Sequence, residues 1–174
     1  MSEHSPGVVG GAETIVRLVC TPMHVHDKKP ELVSNFFNHA FTRGLSAQRS
    51  EQASDQELAT WVDNFIGPNE DLVWLGFVQA PSAEIRSILR EGTGAREFCV
   101  YDAAYSENPA HAEICASRRI DDADRLELKK RLRDAFGKGK IVPRGQLKAG
   151  GVAALVKPEL MARSVPERFK DLVA

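Results

Sequence analysis

Strand-like and helix-like hydrophobic patterns are interspersed along this chain, so the sequence predicts an α/β or α+β domain: a compact mixed sheet with interspersed helices and an open strand order. Two observations carry that prediction. Short runs rich in Val, Ile, Leu and Phe, such as TIVRLVC and DLVWLGFVQ, read as buried strands. Between them lie segments whose apolar residues recur at helical spacing and whose ends carry capping or stop residues. No internal period repeats.

A chain of 174 residues is long enough for one domain with a sizeable core. It divides into a flexible leader, 1–12, and a single globular domain, 13–174. The leader lacks the basic start and continuous apolar core of a secretory signal, and His4 belongs to it. Apolar residues make up 43% and charged residues 27%, well away from disordered compositions. The longest apolar runs, such as GGVAALV, fall far short of the roughly 20 residues that span a bilayer. A soluble, cytoplasmic protein with no membrane partner is the expectation. Cys20, Cys99 and Cys115 cannot all pair within one chain, which suits a reduced interior where thiols act as small hydrophobes.

The elements follow in order. A core strand is expected near 14–20. Pro30 then opens a helix through PELVSNFFNHAFTR, with Val33, Phe36, Phe37, Ala40 and Phe41 on one face and Gly44 as the stop. LSAQRSEQA reads as a polar connector. Ser54 and Glu57 have capping-box spacing, and Leu58, Trp61, Val62, Phe65 and Ile66 give the next helix its apolar face. DLVWLGFVQ is a strand buried on both faces, and Pro81 and Ser82 introduce a short helix carrying Ile85, Ile88 and Leu89. REFCVYD is another strand, with Cys99 assigned to the core. For residues 109–117 two readings compete. Alternation supports a strand in which His111, Glu113 and Cys115 share a face, while the Asn108 cap and Pro109 support a helix that brings His111 to Cys115. The helix has two signals to the strand's one. At the end, KIVPR is a short strand, GGVAALV a strand or helix start, and PELMARS and PERFKDLVA two helical pieces.

The formal net charge of -1 is unevenly spread. Residues 1–117 hold 8 Lys+Arg against 16 Asp+Glu, whereas 118–148 hold 11 against 5. In that basic segment Asp121 or Asp122 caps a helix with Leu128, Leu132, Ala135 and Phe136 as its buried face, ended by Gly137. Arg125, Lys129 and Arg133 form a row at spacing four, and Lys138, Lys140, Arg144 and Lys148 follow. Such a stripe suits phosphates or an acidic partner protein. It also reads as a solvated face with Glu127 to Arg131 and Lys130 to Asp134 pairs. Nucleic acid is the weaker partner, since no aromatic residues interleave the basic ones.

Chemistry-bearing candidates are sparse. His24 and His26, two apart in CTPMHVHDKKPE, project to one side of an extended segment and form half a site for a divalent metal; Asp27, His39, Asp102, His111, Glu113 and Cys115 are the candidates to complete it. Without metal, His24, His26, His39 or His111 can exchange protons near neutrality, oriented by Asp27 or Asp102, with Arg43 holding an anionic group and Tyr101 or Tyr105 offering a hydroxyl. GxSxG, HExxH, P-loop and GxGxxG motifs are missing, and the sequence requires no cofactor. Two functions follow. The first is a soluble accessory or interaction protein with a basic surface formed by Arg125, Lys129, Arg133, Lys140 and Arg144. The alternative is a small cytoplasmic enzyme, such as a hydrolase, using His/Asp acid–base or metal-assisted chemistry on a polar or anionic substrate.

Overall fold

The structure, a computed structural model, describes residues 7–26 and 31–173. His4, Asp27 and Pro30 lie outside the described residues, and with them the expected helix start at Pro30. The strands β1 (Thr14–Thr21), β2 (Leu45–Arg49), β3 (Val73–Pro81), β4 (Phe98–Asp102), β5 (His111–Ala116) and β6 (Val142–Pro143) form one sheet in the order β4-β5-β2-β1-β3-β6. Every ladder is antiparallel, so the mixed domain takes the α+β form.

Alternation along β1 builds two cores. Ile15 and Val19 point into a layer formed by the 3-10 helix Ser34–Phe41, α2 (Ser82–Arg86) and α3 (Asp122–Ala135), where Phe37, Ile85, Leu132 and Phe136 meet. Val16, Leu18 and Cys20 point the other way, against α1 (Asp55–Ile66), α4 (Gly151–Leu155) and α5 (Pro158–Met161), with Leu58, Val62, Val152 and Leu160. Residues of β4 and β5 pack into the first core only. Their other face carries Cys99, His111, Glu113 and Cys115 half-buried and Tyr101 exposed.

The helix from Ser54 forms as its box demands: Ser54 Oγ accepts the Glu57 N–H at 3.2 Å, and Glu57 returns a carboxylate to the Ser54 N–H at 2.7 Å. Asp121 is the N-cap of α3, although its side chain makes no capping bond, and the helix buries Leu128 and Leu132.

Several sequence expectations are corrected. The segment at 45–49 belongs to no connector; it is β2, one of the two central strands of the sheet. Its polar residues hide the strand, because Gln48 and Arg49 are 2% and 1% exposed, and Arg49 is held by Glu13. Residues 111–116 form a strand and not a helix, since β2 and β4 offer hydrogen-bonding edges on both sides. The helix expected from Pro30 starts only at Ser34 and is 3-10, because Leu32 bridges Val25 in extended geometry. Cys99 faces away from the core that holds Phe98 and Val100.

Candidate functional site

The 3-10 helix and α3 lie side by side over the first core, and the space left between them is a cleft lined in part by the basic segment. Leu32, Val33, Ser34 and Phe37 line one wall, and Leu126, Glu127, Lys129, Lys130 and Arg133 the other, around a volume of about 370 Å³. A second cleft of about 370 Å³ shares Leu32 and Arg133 and adds Glu31, Lys138 and Lys140. The two clefts adjoin at Leu32 and Arg133, and we treat them as one groove, with Leu32 and Phe37 as its floor and a rim in which five cations outnumber Glu31 and Glu127. Leu126 stands at its edge 70% exposed, on the flank of a helix whose opposite face is buried.

Local sequence explains why these side chains meet. Arg133 follows Lys129 by one turn, which stacks both on the same flank of α3. Gly137, Lys138 and Gly139 then take positive φ values of 61°, 60° and 73°, turning the chain back so that Lys138 and Lys140 continue the rim. Burial and the neighbouring Arg125 lower the Lys129 pKa, and Asp122 opposes them. The arrangement concentrates positive potential beside hydrocarbon, the complement of an acidic amphipathic segment.

Only part of the predicted basic surface joins this groove. Lys129, Arg133 and Lys140 line it. Arg125 turns instead to Asp122 at 3.1 Å and the Ile120 carbonyl at 3.3 Å, with its guanidinium 5.9 Å from the Phe41 ring. Arg144 donates to the Met161 carbonyl at 3.4 Å and is half-buried. The helix-surface pairs also differ from expectation. Lys130 pairs with Glu127 at 3.9 Å, and Arg131 donates to the Leu89 carbonyl at 3.0 Å, because a nearby backbone acceptor competes with the i, i+4 partner. Lys130 and the exposed Leu126 are groove residues that charge reading missed. The off-phase leucine was the available signal.

The histidines have separate surroundings. His24 is 5% exposed, between the rings of Phe36 and Phe65 at 5.0 and 5.8 Å. Its Nδ1 accepts the Cys20 N–H at 3.2 Å, and burial, aided by Arg17, pushes its pKa down to about 3. His26, two residues on, is exposed. His39 lies on the 3-10 helix, where its Nε2 accepts from Arg43 at 3.2 Å; burial, Arg43 and Arg17 all lower its pKa. Arg17, absent from the sequence candidates, sits 4.8 Å from the centroid of the Phe36 ring and donates to the Ser46 carbonyl. Its charge reaches both His24 and His39.

His111 lies on the open face of the sheet. Its Nδ1–H is held by the Ala103 carbonyl at 3.0 Å, so Nε2 accepts the Ser46 hydroxyl at 2.9 Å, with the Tyr105 ring 5.5 Å away. Asp102 is on the opposite face, 3.7 Å from the buried Arg49 guanidinium. Asp27 lies outside the described residues. Among the described residues, no group of three or more His, Cys, Asp or Glu is placed to hold a metal ion, and no helix is long and apolar enough to cross a membrane. No family model, curated protein or solved structure matches the chain.

Proposed function

We propose that this chain is a soluble, cytoplasmic accessory protein that captures an acidic amphipathic segment of a partner protein in the groove between the 3-10 helix and α3. One observation carries this reading: Lys129, Lys130, Arg133, Lys138 and Lys140 rim a floor containing Leu32 and Phe37, with Leu126 exposed at its edge. Carboxylates gain from the rim, and leucine-like side chains gain from covering the floor, so charge and hydrophobic burial act on the same ligand. Nucleic acid is a poorer fit because the rim carries no exposed aromatic ring for base stacking.

The test is fluorescence anisotropy with a labelled helical peptide carrying Glu on one face and Leu on the other. Lys129→Glu together with Arg133→Glu abolishes measurable binding, whereas Arg144→Glu leaves most of it. Undiminished binding by the double variant, with circular dichroism unchanged, contradicts the reading.

A second reading, acid–base chemistry at His111, is supported by the Ser46–His111–Ala103 hydrogen-bond chain. It predicts hydrolysis of an activated ester at a rate that Ser46→Ala and His111→Gln both lower. Equal rates for the three proteins end it.

A further inference from the structure

β4 and β5 carry two thiols in register. Cys99 lies directly opposite Cys115, and facing residues of an antiparallel ladder project to the same side. Two bonds of this ladder identify its hydrogen-bonded pairs: Ala103 N–H to His111 O at 3.0 Å and Ser117 N–H to Glu97 O at 2.9 Å. Stepping by two along the register places Cys99 and Cys115 in the same class, for which Cα atoms are about 5.5 Å apart. Disulfides span Cα separations of roughly 4.4–6.8 Å. Both thiols are free and half-buried, whereas Cys20 is buried.

The surroundings add a ligand preference. Cys115 lines a cleft of about 500 Å³ together with Arg43, Arg118 and Arg119. Arg118 is committed to Glu97 and Asp124, each at 3.2 Å. Arg43 and Arg119 are exposed at the rim.

We propose that Cys99 and Cys115 are a dithiol site that forms a reversible intramolecular disulfide by exchange with an anionic low-molecular-weight disulfide, drawn in by Arg43 and Arg119. One thiolate of the pair attacks a sulfur of the small disulfide, forming a mixed disulfide and expelling one small thiolate. The neighbouring thiolate then attacks the protein sulfur of that mixed disulfide and expels the second. The two protein thiols are oxidised, the small disulfide is reduced to two thiols, and the protons lost by the protein end on those products. Burial, Glu113 and Cys99 raise the Cys115 pKa, so exchange accelerates toward alkaline pH. This proposal is independent of the peptide groove.

The experiment uses the full chain and oxidised glutathione, with alkylation and peptide mapping. Titratable thiols in denaturant fall from three to one, and a peptide linking Cys99 to Cys115 appears and is lost on reduction. Cys99→Ser and Cys115→Ser each stop at a glutathione adduct. Arg43→Glu with Arg119→Glu slows exchange with oxidised glutathione several-fold and speeds exchange with the cationic disulfide cystamine. Retention of all three thiols, or a wild-type product that stops at mixed disulfides, overturns the dithiol site. Linkage at rates indifferent to both charge changes overturns recruitment by the arginines.

Discussion

Arg49 grips Glu13 at two points, Nε to Oε2 at 2.6 Å and Nη2 to Oε1 at 2.8 Å, from a position in β2 where it is 1% exposed. The same guanidinium donates to the Gly7 carbonyl at 2.7 Å, so one buried cation ties residues 7–13 to the sheet. Arg49→Met breaks this fastening and leaves the Glu13 carboxylate, which also accepts the Gly10 N–H, without this cation. We expect a loss of about 3 kcal/mol in urea unfolding, the lower end for a broken buried pair because Glu13 retains some solvent contact. An unchanged midpoint and slope would show that the pair contributes nothing net.

The pH dependence of stability has a source in His24. Its folded pKa, about 3, lies below the ordinary 6.5, so the unfolded chain binds a proton in a range where the folded chain does not. Stability is therefore complete above the unfolded pKa and falls as pH drops through the window between the two values. From pH 7 to pH 4 this one group removes on the order of 3 kcal/mol. His24→Met, compared with wild type by urea unfolding at both pH values, flattens that loss; equal losses in the two proteins contradict the assignment.

The fold was legible wherever burial and apolar composition coincide. TIVRLVC and DLVWLGFVQ became β1 and β3, and the Ser54 and Glu57 box became the start of α1. It was hidden where buried residues are polar. LSAQR looked like a connector because Gln48 and Arg49 are polar, and the Glu13 that makes Arg49 tolerable inside lies far away in the chain. The local cap signals at Asn108 and Pro109 lost to two neighbouring strands that no local reading can see. For the candidate site, the spacing of Lys129 and Arg133 was readable, while the apolar floor was not. The opposite wall comes from residues 32–37, about ninety residues earlier in the chain.

Gly76 tests how β3 and β6 meet. It pairs with Pro143 at a φ of 150°, and a side chain there would run into the Val142 carbonyl. Gly76→Ala is expected to cost about 2 kcal/mol, lowering Tm by about 4–8 °C. Gly92→Ala, at a φ of 78° with nothing within 4 Å of the added carbon, carries only conformational strain and costs less. Calorimetry of the two variants orders them; equal shifts would deny the close approach.

Groove binding should respond to salt and to hydrophobic loss separately. Raising ionic strength weakens capture of the acidic peptide by screening Lys129, Lys130, Arg133 and Lys140. Leu126→Asp weakens it at every salt concentration, because it removes apolar contact at the groove's edge and adds repulsion. Affinity measured across a salt series for both proteins separates the contributions. A wild-type affinity indifferent to salt would remove the electrostatic half.

The most direct measurement is chemical-shift mapping of the isotopically labelled chain titrated with the acidic amphipathic peptide. Perturbations are expected at Leu32, Phe37, Leu126, Lys129 and Arg133, with the β4 and β5 face around Cys99 and His111 unmoved. Perturbations confined to that face, or none at saturating peptide, would contradict the groove as the binding site.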